Sequence, residues 1–390
     1  MTLAVIVLGS AGSIGQSALD VIRRHPSRLR VSGLATRSNA ESLFRDAREF
    51  FPKAVAIEDP KAAVILEDKL KNCPATKDII LLSGEAAAAT LAKTCTADIA
   101  VCAISGIAGL DSAFACVQSG KHIALANKET LVCAGEFFME AVKRAGVKLF
   151  PIDSEHWALA SCLAGRSIES IRRVVLTASG GPFFQWNKGD IQNAKKDAAL
   201  HHPTWKMGPH ISIASATLAN KAMEIIEAHY LFGIPYDRIE AVIHPQSLVH
   251  AWIELNDGSC LMQAAPTDMR LPLQSALLDG YDAEKIPLSV PLSLEQRNGL
   301  TFHTIDDDVF PLFRFGVDAG KKGSLWAAAF CGANEGATKR FLETDETIAQ
   351  LTENVIHATY QTVNEVHYVP ANADQCKVIA KRALVLAKSF

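Results

Sequence analysis

Acidic side chains follow an apolar run in the stretch "PIDSEHWALA", which begins at Pro151. The polar residues of this cluster are Asp153, Ser154, Glu155 and His156. Because polar groups are expensive to bury, the cluster is either an ordinary exposed strand end or a group held in place for chemistry. Residues two apart in an extended chain point the same way, so the spacing predicts that both carboxylates face one point. Two like charges side by side require a neutralising cation.

A third carboxylate comes from "SATLANKAMEIIEA", which reads as one helix with Ser215 as a plausible N-cap. Glu224 follows Asn220 and Lys221 by one turn, so these side chains share a helix face. Three carboxylates without a cysteine ligand favour a hard cation, Mg²⁺ or Mn²⁺. The helix N-terminus, together with Ser179 in "TASGGP", suits a phosphate group. Taken singly, Ser215 could be only a cap and Lys221 only a solvated charge.

The segment "HHPTWKMGP" predicts a loop, about residues 199–209, that closes over a ligand and excludes water. His202, Trp205 and Met207 are the side chains expected to cover the ligand. Trp205 also has an ordinary interpretation as a core residue. The concentration of chemically competent residues between positions 153 and 224 favours a site.

A glycine-rich loop, "GSAGSIG", runs from Gly9 to Gly15 between a strand-like run and a helix-like run. Glycines let the backbone approach a pyrophosphate, and the helix N-terminus supplies free N–H groups. The alternative is a tight strand–helix turn without a ligand. About 20 residues further on, where NAD enzymes carry an acidic residue, this chain has Arg37, Ser38 and Asn39. They favour the 2′-phosphate of NADPH over NADH, unless Arg37 is only a solvated surface charge.

Composition bounds the class of protein. A chain of 390 residues, 49% hydrophobic and 21% charged, is expected to form two or three folded domains. The net charge of -3 and the lack of a basic stripe argue against nucleic acid or an anionic membrane as partners. We expect no targeting segment and no transmembrane helix. Nine scattered cysteines without C-x-x-C pairs predict reduced thiols and a cytoplasmic protein.

Two kinds of pattern divide the chain. Alternating strand-like and helix-like segments over residues 2 to about 150 predict βαβ units and a parallel sheet. After about Asp153, "IEAVIHP", "LVHAWIEL" and "SCLMQAA" predict strands of a mixed or antiparallel sheet. Prolines four apart in "EKIPLSVPLSLEQ" exclude a regular helix and predict a linker. Helical patterns dominate from about residue 305 to the end.

Seven motifs in order match one enzyme family: "GSAGSIG", "ALANKE", "PIDSEH", "ASGGPF", "HPTWKMG", "SATLANKAMEIIEA" and "IHPQSLVH". Over essentially its whole length the chain resembles the 1-deoxy-D-xylulose 5-phosphate reductoisomerases of the non-mevalonate isoprenoid pathway. The resemblance implies a homodimer of α/β class. Its expected parts are a Rossmann-like NADPH-binding domain (1–150), an α+β catalytic and dimerisation domain with a mixed sheet (151–278), a linker (279–304) and a C-terminal helical domain (305–390).

Carried over residue by residue, the resemblance implies a role for each matching position. The metal ligands would be Asp153, Glu155 and Glu224. The phosphate site would be formed by Ser179, Ser215, Asn220 and Lys221. Further substrate contacts would come from Ser154 and Lys128, and from the lid residues His202, Trp205 and Met207. Direct catalytic roles are implied for Asp153, Glu155, Glu224, Lys128, His202 and His250. The cofactor contacts would be Gly9, Ser10, Ala11, Gly12, Ser13, Ile14, Arg37, Ser38, Asn39, Asn127, Glu129 and Gly208.

The implied reaction has two steps. A metal ion chelates the ketone and a neighbouring hydroxyl of 1-deoxy-D-xylulose 5-phosphate, and the skeleton rearranges by retro-aldol cleavage and re-addition. NADPH then delivers hydride to the branched aldehyde, giving 2-C-methyl-D-erythritol 4-phosphate. Two alternatives stay open: an NADPH-linked oxidoreductase or lyase acting on another sugar phosphate, and a non-catalytic NADPH-binding regulatory protein.

Five positions depart from the family pattern. The residues found here are Trp157, His210, Ala214, Ala219 and Ala222. The family usually carries an aspartate where Ala214 stands and a glycine where Ala222 stands. These changes crowd one side of the expected phosphate and metal region, but every expected ligand is present. We therefore expect a reshaped or weakened site with the same function.

Overall fold

The computed structural model of the protein describes residues 2–201, 203–205, 208–279 and 285–390. The chain divides into two compact units, each assembled from separate segments. Unit 1 comprises Met1–Asn127, Glu140–Asp153 and Met269–Leu288, and unit 2 comprises Lys128–Met139, Ser154–Asp268 and Ser289–Phe390. Within the described ranges, no helix is long and apolar enough to cross a membrane.

The strands and helices alternate through the first half of the chain, as the sequence predicts. The strands are β1 (Leu3–Leu8), β2 (Leu29–Thr36), β3 (Ala54–Ile57), β4 (Ile80–Ser83), β5 (Ile99–Cys102), β6 (His122–Leu125), β7 (Leu149–Pro151), β8 (Ile171–Ala178), β9 (Ile239–Ile243), β10 (Val249–Leu255), β11 (Cys260–Ala264) and β12 (His303–Thr304). The helices are α1 (Ser13–Arg24), α2 (Ala40–Phe50), α3 (Pro60–Lys71), α4 (Ala87–Thr94), α5 (Leu110–Gln118), α6 (Lys128–Ala145), α7 (Ser154–Leu163), α8 (Lys188–Asn193), α9 (Lys196–Leu200), α10 (Pro209–Ala216), α11 (Ala219–Phe232), α12 (Arg270–Leu277), α13 (Leu294–Arg297), α14 (Pro311–Lys321), α15 (Ser324–Glu343), α16 (Ile348–Glu365) and α17 (Ala373–Ser389).

Unit 1 is built on a parallel sheet with the order β4-β3-β2-β1-β5-β6-β7. Its central strands are short apolar runs, and β3 and β5 are buried along their whole length. Such runs are typical of a parallel sheet that is covered on both faces. The strand order reverses between β1 and β5, so the loop after β1 lies at the topological switch point where such folds bind ligands. The predicted Rossmann-like fold is confirmed.

Unit 2 contains the second sheet, with the order β11-β10-β8-β9-β12. Only β8 and β9 run parallel, whereas the other neighbours are antiparallel, which confirms the predicted mixed sheet. The C-terminal segment is helical, as expected, and α15 is buried through most of its length. Gly332 lets α15 approach α17 closely, because a Cβ there would lie 1.9 Å from the carbonyl oxygen of Ala380.

One sequence-based expectation about local structure is wrong. The segment "SATLANKAMEIIEAHYLF" is not one helix, because Leu218 adopts a left-handed conformation (φ 55°) that ends α10 and precedes α11. The polar residues before the predicted lid form the short helices α8 and α9. The expected linker contains the short helix α13, which a capping box at Ser293 and Gln296 stabilises.

The departure at Ala222 is accommodated by a glycine on a neighbouring helix. A Cβ added at Gly316 in α14 would lie 2.7 Å from the Cβ of Ala222 and 2.6 Å from the ring of Phe330. The methyl group of Ala222 therefore occupies space that Gly316 leaves open. Ala222 therefore fits against α14 without the crowding that the sequence suggested.

We expect Gly316→Ala to lower the free energy of unfolding by about 1–3 kcal/mol, because the new methyl group overpacks this contact. Adding Ala222→Gly should recover part of the loss. Urea denaturation of the single and double variants measures both effects. The control is Gly189→Ala in α8, where the nearest atom lies at 3.5 Å and a change within about 0.5 kcal/mol is expected. Equal stability of the Gly316 and Gly189 variants would contradict this packing argument.

Candidate functional site

Three carboxylates approach one another around the start of α7. Asp153, Glu155 and Glu224 each offer an oxygen, and these oxygens lie within 4.8 Å of one another. The local geometry differs from the expectation of an extended strand end: β7 ends at Pro151 and α7 begins at Ser154. Asp153 therefore precedes the helix while Glu155 lies in its first turn. The carboxylates converge, but not through the extended geometry on which the sequence prediction relied.

Lysine ammonium groups compensate the buried carboxylates. Lys221 Nζ donates to Glu155 Oε1 at 2.9 Å, to Glu224 Oε2, and to the Thr177 carbonyl oxygen at 2.5 Å. Lys128 Nζ donates to Glu224 Oε1 at 2.9 Å. Burial alone would lower the pKa of Lys221, but the charges and hydrogen bonds of Glu155 and Glu224 outweigh it, so the pKa is raised. The lysine therefore stays protonated between two carboxylates.

The donor set fits a hard divalent cation. The candidate ligands are all carboxylate oxygens, which Mg²⁺ and Mn²⁺ prefer. Glu224 is only 1% exposed, and its charge is balanced here by the ammonium groups of Lys221 and Lys128. Asn220, one turn earlier in α11, also donates to Glu224 Oε1, as the shared helix face predicts.

Two of the predicted phosphate residues, Ser179 after β8 and Ser215 in α10, lie in segments of unit 2 that pack together. Gly180 and Gly181 both have positive φ, and the Ser179 hydroxyl accepts a hydrogen bond from the Gly181 N–H. A Cβ at Gly181 would lie 3.1 Å from the Ser215 carbonyl oxygen, so the two segments are in close contact. The sequence predicts Ser215 as the N-cap of the helix that carries Glu224. In the structure Ser215 is instead the penultimate residue of α10. The break at Leu218 is the reason for this difference.

The N-terminus of α11 is capped weakly. Leu218 holds the N-cap position and makes no side-chain capping hydrogen bond, while the Ala219 N–H donates to the Thr217 hydroxyl oxygen at 3.4 Å. Asn220 and Lys221 follow in the first turn, where the helix dipole favours an anion. The α11 start therefore offers the positive environment that the sequence assigned to the residues around Ser215.

Part of the predicted lid packs on the turn between β9 and β10. The Trp205 ring lies 6.1 Å from the His250 ring, measured between centroids. The hydroxyl oxygens of Thr204 and Ser247 are 3.3 Å apart. His250 is buried, with Nε2 3.1 Å from the Ala265 carbonyl oxygen. The predicted lid residues His202 and Met207 lie outside the described residues, and Gly208 immediately precedes α10.

The glycine loop in unit 1 is shaped by close backbone contacts. A Cβ at Gly9 would lie 2.4 Å from the Ala103 carbonyl oxygen, and one at Gly15 would lie 2.3 Å from the Gly9 carbonyl oxygen. Gly12 and Ser13 at the tip are exposed, and α1 begins at Ser13 without a side-chain cap. Unsatisfied N–H groups at an uncapped helix start form an anion site. Between Gly9 and Gly12, the Ser10 hydroxyl donates to the Ala35 carbonyl oxygen inside the protein.

The residues expected to contact the adenosine end of NADPH follow β2. Arg37, Ser38 and Asn39 are all exposed, and the Asn39 side chain caps α2 by accepting from the Ser42 N–H. Asn127 follows β6 and donates to the carbonyl oxygens of Ile104 and Gly106. Its Nδ2 atom therefore orders the loop after β5.

Sequence reasoning missed two buried residues beside the carboxylate cluster. His156 and Glu227 lie with Nδ1 and Oε2 3.2 Å apart, and both side chains are almost fully buried. The available signal was the spacing of Glu224 and Glu227, which places two acids on one face of α11. His156 was visible in the "DSEH" motif, but its partner could not be identified without the fold.

Comparisons with known proteins agree along the chain. Residues 5–135 match the family model of 1-deoxy-D-xylulose 5-phosphate reductoisomerase, and residues 149–232 match that of its C-terminal domain. Residues 264–378 match the DXP reductoisomerase C-terminal domain. The chain belongs to the 1-deoxy-D-xylulose 5-phosphate reductoisomerase family. The sequence-based resemblance is confirmed.

Individual reductoisomerases cover nearly the whole chain. The enzyme of Thermosynechococcus vestitus is 44% identical over 340 residues, covering 87% of this chain and 81% of its own length. A Zymomonas mobilis reductoisomerase structure in complex with NADPH has a TM-score of 0.89 at 32% identity, covering 100% of this chain and 99% of its own. A reductoisomerase structure with NADPH, fosmidomycin and magnesium has a TM-score of 0.91 at 34% identity, covering 99% and 98%.

We expect Lys221→Met to lower the free energy of unfolding of the metal-free protein by about 3 kcal/mol. The change leaves the carboxylates of Glu155 and Glu224 buried without this ammonium partner. Urea denaturation in the presence of chelator measures the loss. The control is Lys71→Met, which removes an exposed pair with Glu67 and should cost about 0.5 kcal/mol or less. Unchanged stability of the Lys221 variant would contradict the proposed charge balance.

Proposed function

We propose that this chain converts 1-deoxy-D-xylulose 5-phosphate to 2-C-methyl-D-erythritol 4-phosphate, using NADPH, in non-mevalonate isoprenoid precursor biosynthesis. The observation that carries the proposal is the carboxylate cluster of Asp153, Glu155 and Glu224 around the Lys221 ammonium. Family membership supports the reaction, and the NADPH and magnesium named for related structures support the cofactors. No observation on the described residues favours the two alternatives.

Unit 1 is the proposed NADPH-binding part. The uncapped start of α1 at the end of β1 suits the pyrophosphate, through backbone N–H groups of the glycine loop. Exposed Arg37 and Ser38 at the end of β2 suit the 2′-phosphate. Asn127 in this unit is a further proposed contact, and the resemblance alone assigns contacts to Glu129 and Gly208.

Unit 2 is the proposed substrate-binding part. The hydroxyl groups of Ser179 and Ser215 would bind the phosphate, aided by the α11 dipole. The resemblance assigns Asn220 and Lys221 to the same site, where they would bind the phosphate by exchanging hydrogen bonds that they make here to Glu155 and Glu224. Binding energy from the phosphate, which does not react, can drive closure of the segment around Trp205. Closure excludes water from the reacting carbons.

The reacting end of the substrate would lie at the carboxylates. The skeleton of the keto sugar phosphate rearranges to a branched aldehyde, which one hydride from NADPH and one proton reduce to the alcohol. Mg²⁺ or Mn²⁺, held by Asp153, Glu155 and Glu224, would supply Lewis-acid polarisation of the ketone. Lys128 holds Glu224 through its ammonium group, and Ser154 begins the helix that carries Glu155. His250 and the lid histidine His202 complete the proposed active site.

Assembly and location are also part of the proposal. The resemblance supports a homodimer, and the exposed face of the edge strand β11, where Met262 is 52% exposed, is compatible with a partner subunit. All nine cysteines are free, which supports a reducing compartment, the cytoplasm. The sequence-based domains, 1–150, 151–278, 279–304 and 305–390, are retained as a functional division.

The reaction is tested by NADPH oxidation with 1-deoxy-D-xylulose 5-phosphate in the presence of Mg²⁺ or Mn²⁺. We expect metal-dependent turnover that chelator abolishes. Glu224→Gln should lower kcat/KM by about a thousandfold or more, because it removes a metal ligand, while the Kd for NADPH stays within about twofold. The control is Glu240→Gln, which changes only an exposed pair with Arg173. Full activity of the Glu224 variant would remove Glu224 from the metal site, and NADPH binding without turnover under either metal would refute the function.

Cofactor choice is tested at Arg37. We expect Arg37→Ala to raise the KM for NADPH about tenfold and leave the KM for NADH within about twofold, because only NADPH carries the 2′-phosphate. Steady-state kinetics with both cofactors measure the split. The control is Arg30→Ala, an exposed arginine near the other end of β2. An equal change for both cofactors would show that Arg37 is an ordinary surface charge.

A further inference from the structure

A buried histidine–glutamate pair lies directly behind the proposed metal ligands in unit 2. His156 belongs to α7 and Glu227 to α11, and their side chains are 0% and 1% exposed. His156 Nδ1 is 3.2 Å from Glu227 Oε2, and His156 Nε2 is 2.9 Å from the backbone carbonyl oxygen of Glu224. One imidazole ring thus joins the helix of Glu155 to the backbone of Glu224.

The chemistry of the carbonyl partner fixes the direction of the one hydrogen bond. A carbonyl oxygen only accepts, so His156 Nε2 donates to Glu224. Nδ1 lies at ion-pair distance from the Glu227 carboxyl group. The ring is therefore held by a hydrogen bond through Nε2 and by an electrostatic contact through Nδ1, and Glu227 contributes to its orientation. An imidazole whose second nitrogen is held by a carboxylate is a common device for orienting groups around a metal.

The connection reaches both ligand-bearing helices. Glu155 is the residue before His156 in α7, and Glu224 is three residues before Glu227 in α11. A rotation or slide of either helix would break the hydrogen bond to Nε2 or the contact with Nδ1. The alternative is that the pair only stabilises the fold, in which case its loss would not alter the separation of the carboxylates.

We propose that Glu227 is a positioning residue: through His156 it fixes α7 against the Glu224 carbonyl and so sets the spacing of the metal-binding carboxylates Glu155 and Glu224. This inference rests on the proposed function, because it assumes that the carboxylates bind a divalent cation. It assigns no contact between Glu227 and substrate, cofactor or metal.

The experiment is Mn²⁺ binding to the full-length protein, measured by isothermal titration calorimetry without substrate. Glu227→Leu keeps the size of the side chain but cannot bond to Nδ1, so we expect the Kd for Mn²⁺ to rise about tenfold or more. Glu227→Gln can donate its amide N–H to Nδ1 and should keep the Kd within about threefold. His156→Phe keeps a flat ring without either bond and should match Glu227→Leu.

Two comparisons separate positioning from other effects. The double variant His156→Phe/Glu227→Leu should bind Mn²⁺ no more weakly than either single variant, because both changes break one connection. The NADPH Kd should stay within about twofold in every variant, which also shows that unit 1 is folded. Glu346→Gln, which alters a glutamate paired with Arg340 on the C-terminal helices, serves as the matched control.

The outcomes are distinguishable. If the wild-type protein binds no Mn²⁺, the proposed function fails and this inference with it. If the wild type binds Mn²⁺ and Glu227→Leu binds equally well, only the positioning role is refuted. If Glu227→Gln loses as much affinity as Glu227→Leu, the charge of Glu227 acts directly and the connection through the His156 ring is refuted. If Glu227→Leu does not fold, His156→Phe alone tests the proposal. A tenfold rise in its Kd for Mn²⁺ supports the positioning role, and an unchanged Kd refutes it.

Discussion

The burial of charge around Lys221 constrains the rest of unit 2. Its ammonium group contacts the carboxylates of Glu155 and Glu224 and the Thr177 carbonyl oxygen, almost entirely out of contact with water. Removing one partner would leave an uncompensated charge in a medium of low polarity, which costs several kcal/mol. The end of β8 and the helices α7 and α11 must therefore be held in one arrangement, and that arrangement also brings the carboxylates together.

Several breaks in regular structure serve this arrangement. Leu218 adopts a left-handed conformation that ends α10 and turns the chain into α11. Gly180 and Gly181, also with positive φ, let the loop after β8 pack against the end of α10. A non-glycine residue in this conformation costs about 1 kcal/mol, which the surrounding packing must offset.

One departure from the expected family pattern, Ala222, is accommodated by the packing around it. Ala222 fits because Gly316 on α14 has no side chain at the point of contact. Ala214 is buried in α10 and makes no demand for a polar partner. The candidate ligands Asp153, Glu155 and Glu224 still converge. The carboxylates therefore come together with Ala214 and Ala222 in place.

The sequence by itself determined the elements whose pattern is local. The apolar runs around the glycine loop predict a parallel sheet, and the spacing of Asn220, Lys221 and Glu224 places them on one helix face, because both depend only on neighbours along the chain. Tertiary structure alone decided what depends on distant segments. The break at Leu218, the pairing of His156 with Glu227 and the approach of Glu155 to Glu224 each require residues far apart in sequence to be packed together. Helical periodicity continues through Leu218, so no local signal could reveal that the helix ends there.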